Sequence, residues 1–145
     1  MAANGNEPRT SIGRSLARVL LGLFLITAGT AHLTVARSEF TAQVPSWLPL
    51  DADAVVVGSG VIELALGVAL IVLKRRRVLV GWLAAAFFLV IFPGNIAQYV
   101  EGVDAFGLTT DRARFIRLFF QPVLVLWALW STGAWRDRQL LRSTK

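Results

Sequence analysis

The sequence predicts an all-α integral membrane protein: a four-transmembrane-helix up-down bundle with both termini cytoplasmic. Three observations carry this reading. The chain of 145 residues is 55% hydrophobic, with a mean hydropathy of +0.60, and its apolar residues fall into four blocks, each near the roughly 20 residues that a bilayer-crossing helix needs. Lys and Arg flank the blocks instead of breaking them up, as topology signals do. Between the blocks stand Pro, Gly and acidic residues that end helices. This length suggests one domain, divided into a disordered tail (1–11), the helical domain (12–135) and a basic tail (136–145).

The first helix is expected over 12–33, with Arg14 and Arg18 on its early side and His32 at its far end. An Arg-bearing start, an apolar centre and small residues also make a secretory signal peptide, but the apolar run is longer than a signal core. The connector TVARSEFTAQVPSWLPLDAD follows. Pro45 and Pro49 bar a continuous helix, and Phe40, Trp47 and Leu48 give it an apolar side. Trp47 is expected at headgroup depth, the alternative being an ordinary surface loop around a packed Trp.

The second helix (54–73, AVVVGSGVIELALGVALIVL) contains one ionisable side chain, Glu63, about 14 Å along the helix from Ala54. A carboxylate at that depth is costly unless paired, hydrated or protonated. Lys74, Arg75, Arg76 and Arg77 then read as a stop-transfer flank, and the short turn predicts helices two and three as antiparallel neighbours. The third helix (78–98) contains Pro93 and Gly94, where a kink or unwound turn is expected. An acidic, Gly-containing connector leads to the fourth helix (115–135). Trp127, Trp130 and Trp135 in its second half suit an interface.

With both termini and the basic turn on one side, that side holds eleven Lys and Arg residues and the other holds Arg37, Arg112, Arg114 and Arg117, which is four. The positive-inside rule makes the richer side cytoplasmic. The connectors, with Glu39, Asp51, Asp53, Glu101, Asp104 and Asp111, then face outward. This arrangement of charge argues against nucleic acid as a partner and for the lipid bilayer.

Gly22 and Gly29, and likewise Gly60 and Gly67, are seven apart, so small faces should bring helices into close contact. Glu63 shares the face of Gly60 and Gly67, and His32 lies three residues past Gly29. Asn95 and Gln98 are near the outer end of helix three. Arg117 and Gln121 are four apart near the outer end of helix four. The outer half is therefore expected to gather these polar groups, with only Thr27 and end-flanking charges in the inner half. Two readings remain open. In one, Glu63 is satisfied by His32, Arg117 or Gln121 and the network sets helix register. In the other, these residues line a ligand or proton-binding pocket, walled by Phe87, Phe88, Phe92, Phe115, Phe119 and Phe120. With no Cys and one His, thiol chemistry and Cys- or multi-His metal sites are excluded. No metal site is expected, and no nucleophile–base pair marks an autonomous enzyme.

Taken in order, Gly29-x-x-His32, EFTAQVPSWLP, Gly60-x-x-Glu63-x-x-x-Gly67, FPGNI and Arg117-Leu118-x-x-Gln121 followed by Trp127 resemble the DoxX family of small four-helix bacterial membrane proteins. The resemblance spans roughly residues 14–130. It departs from the family pattern at Gly94, where Ala is commoner, and in RLFFQ, where relatives carry an earlier proline. It implies a multi-pass protein of the bacterial cytoplasmic (inner) membrane. Some members are subunits of a thiosulfate:quinone oxidoreductase, and others belong to membrane complexes that handle oxidative and thiol stress. The function it implies is an accessory or quinone-binding subunit of a membrane-associated redox complex, with a quinone near Glu63, an anion near Arg117 and redox proteins as partners. The alternatives are a small proton-coupled transporter or channel, which would need a homo-oligomer, and a non-catalytic scaffold.

Overall fold

A computed structural model of the chain describes residues 9–142. The expected disorder over 1–11 therefore falls largely outside the described residues, as does the end of the tail. Among the described residues six α-helices form: α1 (Ile12–Leu33), α2 (Arg37–Thr41), α3 (Ala52–Val72), α4 (Arg77–Val100), α5 (Asp111–Leu118) and α6 (Phe120–Thr132). There is no strand among the described residues. Four helical stretches, the last made of α5 and α6 together, are long and apolar enough to cross a membrane.

Local chemistry places the helix ends. Ser11 caps α1 by accepting from the Arg14 N–H (3.3 Å), Asp51 caps α3 through the Ala54 N–H (2.8 Å), and Thr110 caps α5 through the Ala113 N–H (3.2 Å). α6 ends on Gly133 at φ 66°, a left-handed cap that favours glycine. This stops the fourth span at Thr132, so Trp135 lies beyond it. The same span begins at Asp111, earlier than expected from hydropathy, because Thr110 starts a helix on polar residues.

Helix regularity differs from expectation at two prolines. α4 remains helical through Pro93. The interruption falls instead at Phe119, where the N–H turns back to the Ile116 carbonyl (3.1 Å). Pro122 has no N–H to offer the Leu118 carbonyl, so the helical ladder lacks a rung there.

The bundle is up-and-down, but its tight pairs are α1 with α3 and α4 with α6. The expectation that the basic turn makes helices two and three close neighbours holds only near the turn, a 3-10 segment over Lys74–Arg76. Small residues decide the pairing. A Cβ added to Gly29 would meet the Gly60 carbonyl at 2.7 Å, and one on Gly67 the Gly22 carbonyl at 2.7 Å, so α1 and α3 run antiparallel in backbone contact. Leu21, Leu25, Leu70, Phe88 and Ala128 form the centre of the core. Trp127, expected at an interface, ties α6 to α1 by donating to the Ala17 carbonyl (2.9 Å).

Gly29→Ala and Gly67→Ala should each destabilise the bundle by about 1–3 kcal/mol, because backbone atoms cannot yield to the new methyl. Gly58→Ala, which meets nothing within 4 Å, should not. Denaturant titration of the purified variants in one detergent checks the contrast.

Candidate functional site

α3 and α4 meet at the basic turn, and towards the connectors a cavity of about 850 Å³ lies between them. It falls within the roughly 300–1,000 Å³ of small-molecule sites. α1, the two connectors, α5 and α6 complete its wall. Exposed Ile62, Val90 and Leu50 belong to the lining, so the cavity also opens sideways to the exterior.

Its polar groups come from four directions. Glu63 is 4% exposed, and its Oε2 lies 2.7 Å from His32 Nδ1. The imidazole also sits 3.1 Å from the Ala28 carbonyl. A proton on Nδ1 can therefore be donated to Glu63 Oε2 or to the Ala28 carbonyl, the carboxylate being the nearer acceptor. Phe40 stacks on the imidazole at 3.4 Å between ring centroids, fixing its plane. Asn95 Nδ2 donates to Gln121 Oε1 (2.9 Å), and Gln121 Nε2 to the Phe88 carbonyl (2.7 Å).

The fourth group is Arg117. Its guanidinium lies over the Phe106 ring at 5.0 Å and donates from Nη2 to Gln43 Oε1 (3.3 Å). Gln43 Nε2 in turn donates to Gln98 Oε1 (2.7 Å). With the Gln43 amide oxygen turned towards the cation it accepts from Arg117 Nη1 at 2.7 Å, so Gln43 anchors the guanidinium from behind. Phe106 has a φ of 55°, a left-handed conformation that a bulky residue adopts at a cost of about 1–3 kcal/mol. Its N–H is held by Glu39 Oε2 (2.6 Å), and Ser46 bonds Glu101 (2.8 Å). The two connectors are thus joined as a cover over the cavity.

Of the residues singled out from sequence, His32, Glu63, Asn95, Arg117, Gln121 and Trp47 line the cavity. Gln98 does not: it is 1% exposed and stands behind Gln43. Of the three expected partners of Glu63, the structure places His32 beside it, whereas Arg117 bonds to Gln43, and Gln121 to Asn95 and the Phe88 carbonyl. Phe87 and Phe88 are wall residues, whereas Phe115, Phe119 and Phe120 are exposed because they occupy the outward face around the helix break. Gln43, Phe40 and Phe106 were not foreseen as site residues. Only their place in the motif-bearing connector, or beside Gly107, hinted at them.

The opposite end is more polar than expected. Arg18 is buried and donates to the Leu70 carbonyl. Buried Arg77 donates to the Thr132 carbonyl (3.0 Å) and to Asp137 Oδ2 (3.0 Å). Asp137 also receives Arg136 Nε (2.7 Å) and Nη2 (2.8 Å). The hydrogen bonds from Arg136, with the charge of Arg77 behind them, hold the Asp137 carboxyl below the usual carboxylate range despite its burial. A depressed folded-state value means stability that is complete above the unfolded pKa, about 3.9, and lost as pH falls through the folded one. Unfolding midpoints should therefore drop below about pH 4, and Asp137→Asn should remove that part of the acid dependence.

These features define a class: a helical bundle with four stretches long and apolar enough to cross a membrane and an apolar, polar-headed cavity under its connectors. Within that class, the chain belongs to the family described as Domain of unknown function (DUF8561), whose model matches residues 21–132. No curated protein and no solved structure matches the chain.

Proposed function

We propose that this chain is a DoxX-like, multi-pass protein of the bacterial cytoplasmic membrane, with both termini cytoplasmic, that serves as an accessory, quinone-binding subunit of a membrane-associated redox complex. The observation that carries the reading is the cavity. It is apolar along most of its wall, opens sideways, and has a buried carboxylate, Glu63, beside His32 at one place and a guanidinium at another. A quinone has the matching parts, an apolar tail and a ring with carbonyl oxygens. A lateral opening in the outer half of the membrane suits a ligand delivered from lipid.

Arg117 would hold a carbonyl oxygen, with Gln43 orienting it, and Asn95 would offer a neutral contact. Glu63 and His32 would hold or pass a proton at Glu63 Oε2. A bound quinone supplies the two-electron, two-proton chemistry that the side chains lack, with partner proteins as the source or sink of electrons. Phe40 and Phe106 would keep water from the Glu63–His32 contact.

The test is solvent extraction and mass spectrometry of protein purified from membranes, followed by titration of stripped protein with a short-chain quinone. A co-purifying quinone and saturable binding at one site per chain are expected. An extract without quinone, together with no binding on titration, would remove the reading.

A further inference from the structure

At the basic end, a second cavity of about 270 Å³ lies between the start of α1 and the turn from α3 to α4. Five cations line it, Arg9, Arg18, Lys74, Arg75 and Arg77, with two hydroxyls and no carboxylate. Of the five, Arg77 alone has an acidic partner among the described residues, and that partner, Asp137, is shared with Arg136. Like charges gathered in this way repel one another, and helix packing does not require them to share a concavity.

Arg18 makes the arrangement more specific. Its side chain is more than nine-tenths buried, Nη1 is committed to the Leu70 carbonyl, and Nε has no acceptor among the described residues. A buried charged group with an unused N–H is unfavourable until an acceptor arrives. The start of α1, capped at Ser11, adds the positive end of a helix dipole on the same side. Next to the lining in the chain, Leu16 and Leu73 are exposed, giving an apolar margin.

We infer that this cavity binds a phosphate group, carried by an anionic lipid or present as the free ion. Arg18 recognises it from the inner wall, and Lys74 and Arg75 complete the charge from the rim. The site is separate from the connector-end cavity and does not depend on the quinone reading.

The test uses the full-length protein, delipidated in an uncharged detergent. Thermal midpoints and native mass spectra are recorded with phosphatidylglycerol, with phosphatidylcholine and with inorganic phosphate. One retained phosphatidylglycerol per chain, and a saturable rise in midpoint that phosphatidylcholine does not produce, is the expected result. An equal rise with millimolar inorganic phosphate assigns the site to the free ion, and a rise with phosphatidylglycerol alone assigns it to the lipid. Either outcome supports the inference.

Arg75→Ala, at an exposed position, should raise the half-saturating concentration about fivefold. Arg18→Lys keeps the charge but loses the guanidinium N–H groups and should weaken retention by a similar factor or more. Equal retention of both lipids with no response to phosphate would overturn the inference. So would unchanged binding in Arg75→Ala together with Arg18→Lys, which would mean diffuse surface charge only.

Discussion

Arg77→Met is expected to lower the stability of the bundle by about 3–5 kcal/mol, the cost of breaking a buried ion pair by removing one member. The Arg77 and Asp137 side chains are 10% and 4% exposed, with 3.0 Å between Nη2 and Oδ2. The cation also satisfies the Thr132 carbonyl, one of the last carbonyls of α6 that no helical N–H can reach. Methionine fills similar volume, so the loss would report charge and hydrogen bonding rather than a void. Arg77→Lys should fall between the two, since an ammonium cannot span both acceptors as a fork does. Adding Asp137→Leu to Arg77→Met should recover part of the loss, because the buried carboxylate that would keep only Arg136 is then gone and Arg136 is free to hydrate. Denaturant titration of the four proteins checks this. A loss below about 1 kcal/mol in the single variant would mean that the pair is effectively solvated.

The second large effect is on ligand binding. Glu63→Gln should leave the fold intact yet weaken quinone binding by tenfold or more, equivalent to the roughly 1.5–3 kcal/mol of a hydrogen bond to a charged group. The fold should tolerate the change because His32 retains the Ala28 carbonyl at 3.1 Å as its own partner. His32→Ala should do more, freeing Phe40 from its stacking partner and loosening the cover. Circular dichroism with quinone titration separates the two outcomes. Unaltered affinity in Glu63→Gln would take the carboxylate out of the site and favour a role in helix register alone.

The sequence was informative wherever one residue type leaves one solution. Four apolar blocks of spanning length predicted four long helices. Glycines seven apart predicted close helix–helix contact on those faces, since only missing side chains let backbones approach so closely, but not that α1 and α3 would be the pair. Glu63, His32, Asn95 and Gln121 were legible because each interrupts an apolar stretch, where any polar atom requires a reason, and Arg117 because it stands four residues before Gln121 on the same helix face. Gln43 was not, because glutamine in a polar connector is unremarkable until the connector folds back over the helices. Phe106 was hidden for a similar reason: its role depends on a left-handed turn and a distant carboxylate, Glu39.

What the chain alone determined was the number, length and polarity of the helices, which follow from local hydropathy and caps. Only the tertiary structure decided which helices pair, that Arg18 and Arg77 are buried instead of merely flanking, and that a cavity opens between α3 and α4. Those outcomes depend on how small faces, charges and connectors from distant parts of the chain fit together. Packing is a property of pairs of surfaces, and no single stretch of sequence carries both members of a pair.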